Sequence, residues 1–427
     1  MLNKIYFDNF VRLNRGFDLP DNRMQEGEFP VVASTNIKGY HNEYKIEPPV
    51  VVTGRSGSLG NVQYITDKCW PLNTTLYSKD FRGNNPHYTY YYLQTMHLEQ
   101  YNAGAGVPTL NQNHLQRLKV LVHPIDEQDK IAFILSTYDS LIETNNKRIK
   151  ILEQMAEKLY KEWFVRFRFP GYETVEFENG LPKGWKRERI AQYYNTSSGG
   201  TPSREHEDYY SDSGIPWIKT GELQDCVLIS TDEFITDEGL KNSSAKIVPA
   251  NSVLMAMYGV NIGMLGYSYI QSTCNQACCV FKDKQNLSTK HYLFQQLKSI
   301  REYLLLISFG AAQQNLSQDL IKRVKIVMPT KDIVVQFEEK IEPLYMKTVL
   351  LMKQNENLIK QRDLLLPRLM SGKLEICETK QAAASQKPTL SYDSFVAELG
   401  MAARADRISG RDLRAMYEAY VNDDAAE

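Results

Sequence analysis

Between Asp126 and about Phe167 glycine disappears and the apolar residues fall into a heptad. Ile131, Leu135, Tyr138, Ile142, Asn145, Ile149, Leu152, Ala156, Leu159 and Trp163 recur at alternating steps of four and three. The same rhythm returns in Phe337, Ile341, Leu344, Thr348, Leu351, Asn355, Leu358, Arg362, Leu365 and Leu369. Ten unbroken positions in each stretch predict two long helices with a coiled-coil seam. Each seam carries one central asparagine, Asn145 and Asn355. With the helices antiparallel and the asparagines opposed, every other seam residue finds a partner: Ile131 meets Leu369, Ile149 meets Leu351, and Trp163 meets Phe337. A buried asparagine pair lowers stability and fixes register. Packing of each helix on its own domain is the plainer alternative. Pro343 predicts a kink or break near the start of the second helix.

The segments before each helix read differently. Short β-like runs (Pro49 to Thr53, Lys119 to Val122) alternate with Gly, Asn and Pro, and Tyr88 to Leu98 has the texture of a packed helix. These segments are copies of one another. Gly27-Glu28-Phe29-Pro30-Val31-Val32 reappears as Gly214-Ile215-Pro216-Trp217-Ile218, and Val50 to Val62 as Ser252 to Gly266. Pro71-Leu72-Asn73-Thr74-Thr75 is echoed by Thr273-Cys274-Asn275-Gln276-Ala277, and Leu115 to Pro124 by Leu320 to Pro329. A period of roughly 200 residues is too long for a solenoid, whose units run from about 20 to 50. It marks a duplicated module of domain plus helix, suited to touching two similar things a fixed distance apart. The expected class is α+β: two mixed α/β domains in tandem (1–124 and 171–330), two long antiparallel helices (125–170 and 331–376), and a linker with a short helical C-terminal extension (377–427).

Size and charge narrow the picture. A chain of 427 residues has room for two ordinary domains and connecting structure. The 50 basic and 51 acidic residues exclude a histone-like polycation. The last 51 residues hold 9 acidic and 6 basic groups, leaving 42 and 44 in the rest, so a nucleic-acid face requires acidic residues to be segregated elsewhere. The six cysteines form no CxxC pair and have no histidine at metal spacing, which predicts reduced thiols and no metal site. Residues 247–281 carry no charge, but prolines, asparagines, glutamines and glycines interrupt them too often for a spanning helix. Buried strands suit them better. No signal core opens the chain, and a cytoplasmic, non-membrane protein is expected.

Catalytic motifs are near misses. Asn85-Pro86-His87-Tyr88 departs at its third residue from the Asn-Pro-Pro-Tyr motif of amino-methyltransferases, and no methyl-donor loop accompanies it. Asp21 with Glu43-Tyr44-Lys45 mimics a metal-dependent nuclease pattern that the second module does not repeat. Gly54-Arg55-Ser56-Gly57-Ser58-Leu59-Gly60 lacks the Walker spacing and reads as a tight turn between strands. No catalytic residue, metal site or cofactor is expected in the chain.

Polar loops offer a different chemistry. Ser34, Thr35, Asn36 and Lys38 lie in one, and Arg55, Ser56 and Asn61 in the next. Thr201, Arg204, Lys219, Thr220, Tyr258, Asn261, Gln313, Gln314 and Asn315 lie in loops of the second module. Asn and Gln can bond adenine edges bidentately and Arg guanine, while hydroxyls and Lys hold phosphates. Polar side chains are also what any surface loop carries.

Over residues 1 to 376 the chain resembles the specificity subunits of Type I restriction–modification systems. The resemblance rests on Leu181-Pro182-Lys183-Gly184-Trp185 opening the second module and on Gly200-Thr201-Pro202 followed by Gly214-Ile215-Pro216-Trp217. It rests also on Arg362-Asp363-Leu364-Leu365-Leu366-Pro367-Arg368-Leu369-Met370-Ser371-Gly372 closing the second helix. The first module lacks the Leu-Pro-x-Gly-Trp opening, so its first strand is expected to be short or absent, and the tail from Cys377 departs from the family pattern. The resemblance implies a non-catalytic reader of double-stranded DNA in which each domain is a target recognition domain for half of a bipartite, asymmetric site. It implies that the helices set the spacer and dock two adenine methyltransferase subunits, joined by restriction/translocase subunits in the full complex. S-adenosylmethionine, ATP and Mg would then be bound by those partners. About 40 helical residues at 1.5 Å each give a strut of roughly 60 Å, enough for readers in successive major grooves about 34 Å apart. The alternative is a non-catalytic coiled-coil scaffold whose duplicated domains bind protein.

Overall fold

The computed structural model describes residues 2–104, 106–284, 289–308 and 315–374. They fall into two compact units: Met1–Thr144 joined by a segment that starts at Asn355, and Asn145–Gln354. The boundaries cut both long helices near their middles, so each unit owns half of each helix. The C-terminal extension, 377–427, lies outside the described residues.

In the first unit the strand Asn3–Tyr6 pairs antiparallel with Lys119–Val122. A four-stranded antiparallel sheet follows in the order Arg12–Arg15, Thr75–Asp80, Val50–Gly54, Val62–Ile65. A smaller sheet sets Phe29–Val32 between antiparallel Ile37–His41 and parallel Trp70–Pro71. The helix Pro86–Thr95 covers the large sheet and buries Tyr88, Tyr91 and Leu93. Its start is dictated locally: Pro86 presets the first turn, and the Asn85 side chain accepts the Tyr88 amide N–H at 3.0 Å. Val51, Leu76, Tyr88 and Tyr91 share a core with Ile131, Leu135 and Leu369.

The second unit repeats this plan. Lys186–Arg189 pairs with Lys325–Met328, and the main sheet runs Tyr194–Ser198, Cys278–Asp283, Ser252–Ala256, Leu265–Ser268, then parallel Cys226–Leu228. Its small sheet holds Ile215–Ile218 between antiparallel Phe234–Ile235 and parallel Thr273–Cys274. One close approach recurs at matching glycines. A Cβ on Gly16 would stand 2.2 Å from the Leu72 carbonyl oxygen, and one on Gly199 1.8 Å from that of Cys274, so no side chain fits either place. The uncharged stretch is accounted for by the fully buried strands Ser252–Ala256 and Leu265–Ser268. No helix among the described residues is long and apolar enough to cross a membrane. Cys69, Cys274, Cys278 and Cys279 are free and buried, and burial pushes the Cys69 and Cys279 thiols up to about 12.

One expectation is narrowed and another corrected. The first strand of the first module is present, four residues long and fully paired. In the second module a hairpin, Phe177–Glu178 with Leu181–Pro182, precedes the matching strand and carries the Leu-Pro. Pro343 does not break its helix, which runs unbroken from Lys331 to Met370. Buried Ile341 and Tyr345 on either side of the proline anchor the helix through the missing hydrogen bond.

The seams follow the heptad. All twenty seam positions are buried or half-buried, none exposed, and Asn145 and Asn355 are only 7% and 8% exposed. In the first unit Ile131 and Leu369 join one core, and Arg362 Nη1 donates to Asp139 Oδ1 at 2.6 Å. Tyr91 donates its hydroxyl to the other Asp139 oxygen, so the one cation in the seam is matched. In the second unit the Trp163 and Phe337 rings lie 5.7 Å apart. Each helix also packs on the domain that precedes it, as when Tyr91 donates to Asp139 and Glu338 accepts the His291 and Tyr292 N–H groups at 3.0 and 2.9 Å. Both packing arrangements therefore coexist.

Candidate nucleic-acid interface

The polar loops sit where the small sheet meets a turn between two adjacent strands of the large one, Val50–Gly54 and Val62–Ile65 in the first unit and Ser252–Ala256 and Leu265–Ser268 in the second. In the first unit Ser34 donates to the Thr74 carbonyl at 2.9 Å, and more weakly to that of Ser56 at 3.4 Å. Asn61 donates its amide to the Thr35 carbonyl at 3.0 Å. Arg55 Nη1 reaches the Asn73 carbonyl at 3.5 Å. Thr35 Oγ1 lies 3.5 Å from Asn36 Oδ1, and both residues are exposed. Ser34, Thr35, Asn36, Arg55, Ser56 and Asn61 are thus brought together, on two loops tied by backbone acceptors. Lys38 stands apart in an ion pair with Asp21.

In the second unit Asn261 repeats the role of Asn61, donating to the Thr220 carbonyl at 3.0 Å and to that of Gly221 at 3.3 Å. Tyr258 is exposed on the same turn, beside fully exposed Val260. Thr201 bonds the Gln276 side chain. Arg204 and Lys219, far apart in sequence, share the carboxylate of Glu233: Arg204 Nη2 donates to Oε2 at 2.5 Å and Lys219 Nζ to Oε1 at 2.7 Å. Lys219 and then Arg204 hold the Glu233 carboxyl below its ordinary range, and Glu233 in turn raises the Lys219 amine. Asn315 is exposed beyond the last loop, and Gln313 and Gln314 lie outside the described residues. The role of Glu233 was missed from sequence, where nothing couples it to Arg204.

The near-miss motifs resolve into structure. Asn85 caps its helix and donates to Asp129 Oδ1 at 2.8 Å, while His87 stacks on Tyr64 with ring centroids 4.1 Å apart. Asp21 is engaged by Lys38, and Lys45 lies over the Trp70 ring at 4.4 Å, so the nuclease-like residues do not converge. Gly54 to Gly60 turns between two antiparallel strands. One acidic cluster escaped the sequence: His291, Glu338 and Glu342 have ligand atoms within 4.8 Å of one another. Glu338 is occupied by the backbone N–H groups of His291 and Tyr292 at 3.0 and 2.9 Å and lies 2.7 Å from His291 Nδ1. Lys290 takes Glu342 at 2.7 Å. The cluster closes the start of the helix Lys290–Ser299.

Two copies of one small domain, each presenting pinned polar loops and each followed in sequence by a long coiled-coil helix, define a DNA-specificity architecture. The chain belongs to the Type I restriction modification DNA specificity domain family, whose model matches residues 12–154 and 182–361. The family's work is sequence recognition on DNA, not catalysis. The chain is 28% identical over 303 residues to the MjaIX specificity subunit of Methanocaldococcus jannaschii, covering 68% of this chain and 69% of that one. It is 24% identical over 330 residues to the HindI specificity subunit of Haemophilus influenzae, covering 62% and 71%. The fold is similar to the crystal structure of a Type I restriction-modification S subunit from M. genitalium, with a TM-score of 0.58, 15% identity, and 88% and 97% of the two chains covered.

Proposed function

We propose that each globular domain reads one half of a bipartite, asymmetric DNA site and that the paired helices set the unread spacer. Asn145 and Asn355, each buried in its seam, would fix the register of that spacer. The helices also dock two adenine methyltransferase subunits, with restriction/translocase subunits completing the assembly in the cytoplasm. S-adenosylmethionine, ATP and Mg belong to those partners, and this chain supplies selectivity. Near-neutral charge fits a reader whose partners neutralise much of the phosphate backbone. The observation that carries the reading is the duplication itself: the same sheet, glycine and loop-pinning asparagine occur twice, with different polar side chains on the loops.

The test is genome-wide mapping of N6-methyladenine in the host with and without this gene. Loss of one gapped, two-part motif is expected. An unchanged methylome, with the gene expressed alongside its partners, would overturn the reading in favour of a protein-binding scaffold.

A further inference from the structure

Arg204 is more constrained than an exposed loop arginine needs to be. Its guanidinium lies 4.1 Å from the Tyr210 ring centroid and 5.3 Å from that of Trp217. The platform is itself fixed, because Tyr210 donates its hydroxyl to the Pro202 carbonyl at 2.7 Å and Trp217 Nε1 donates to that of Gly200 at 2.9 Å. Glu233 holds one Nη of Arg204 from the side. Glu233 is held in turn through Lys219, whose backbone N–H donates to Glu222 Oε1 at 2.8 Å. Despite these restraints the Arg204 side chain remains 56% exposed.

An isolated surface ion pair adds little stability, so stability alone does not account for the arrangement. Fixing a long side chain before binding removes an entropy cost from the bound state. Two targets suit a fixed guanidinium: a phosphate, or the O6 and N7 acceptors of guanine. The carboxylate decides between them. A negative charge beside the cation weakens attraction to a phosphate, which depends on net charge. It leaves intact the donor geometry that a neutral base edge recognises. Lys219, on the other oxygen of Glu233, holds the carboxylate in place beside Arg204.

Resting on the half-site reading above, we infer that Arg204 reads a guanine in the half-site of the second domain and that Glu233 is its positioning residue. Among the described residues, the first domain has no such arrangement. Phe17 and Gly200 make the same bond, their N–H groups donating to the Pro71 and Cys274 carbonyls at 2.7 and 2.9 Å. Counting four residues on from each aligns Arg204 with Asp21, whose ion pair with Lys38 has the reverse sign. In the small-sheet register Pro216 pairs with Phe234 as Pro30 pairs with Tyr40, which aligns Glu233 with Gly39.

The experiment compares methylation motifs and duplex binding by the full chain, with its partner subunits, for the wild type, Arg204→Ala, Arg204→Lys, Glu233→Gln and Glu233→Asp. One half-site is expected to contain a G·C pair at which Arg204→Ala and Arg204→Lys lose discrimination by about 5- to 100-fold. Glu233→Gln should lose part of it at the same position and Glu233→Asp should restore it. An unchanged half-site of the first domain reports that folding and assembly are intact. A uniform loss of affinity for all sequences, with a salt slope reduced by about 1, would make Arg204 a phosphate contact and overturn the inference. So would full discrimination retained in Arg204→Ala. A wild type with no gapped motif would defeat the half-site reading itself, and this inference with it.

Discussion

Asn61 spends its side-chain amide on the backbone carbonyl of Thr35, 3.0 Å away, and so ties the turn of the large sheet to a loop of the small one. Asn261 makes the equivalent bond to Thr220. Replacing Asn261 with Ala removes two hydrogen bonds to backbone oxygens, at a cost of about 1 kcal/mol or a little more. In a unit of this size that lowers the Tm by roughly 2–4 °C. The same substitution should blur one half-site and leave the other sharp. Thermal melts and methylation-motif mapping check the two effects separately.

Trp163 and Phe337 anchor the seam of the second unit, and Trp163 is only 1% exposed. Trp163→Ala is expected to cost about 3–5 kcal/mol, with Phe337→Ala in the same range. Because the rings touch, the double variant should lose less than the sum of the singles, by about 0.5–1.5 kcal/mol. Urea unfolding of the three variants tests this. Additivity would mean that the two aromatics act independently.

Glu157 accepts from Lys161 at 2.6 Å and from Lys298 at 3.0 Å, linking the first long helix to the helix Lys290–Ser299. The lysine bonds, Lys161 first, hold its carboxyl below the ordinary value of 4.5. A depressed carboxyl stabilises the fold above its unfolded pKa, and that contribution disappears as pH falls through the folded value. The stability gap between wild type and Glu157→Gln should therefore be full at pH 7 and shrink below about pH 4.5. A gap independent of pH would show that the charge of Glu157 contributes nothing.

Inserting one seam step of four residues between Ile142 and Leu159 should lengthen the spacer of the methylated motif and leave both half-sites unchanged. Mapping the motif of the insertion variant decides it. Altered half-site bases with the original spacer would remove the helices from the role of ruler.

How legible the protein was depends on the range of the signal. The helices were readable because a seven-residue apolar period sustained over ten positions suits little besides a coiled coil, and all those positions are indeed shielded. The strands Val50–Gly54 and Lys119–Val122 were readable from local apolar runs between turn residues. Pro343 misled because a local breaking tendency was weighed without the buried neighbours that oppose it. The loops were the least legible. Asn261 and Arg204 are equally polar in a sequence, yet one amide is committed to Thr220 and Gly221 while the guanidinium remains 56% exposed. Glu233 stands 29 residues from Arg204, and only the fold of the small sheet makes them neighbours.

The pairing of first strand with last has a consequence for inheritance. Asn3–Tyr6 lies against Lys119–Val122, and Lys186–Arg189 against Lys325–Met328, immediately before each long helix begins. Each domain therefore lets its chain in and out through a single two-stranded doorway. To the helix that follows, a whole domain is topologically no more than a long loop. A recombination event that kept the doorway and replaced everything inside it would hand the chain a new reading head with its frame undisturbed.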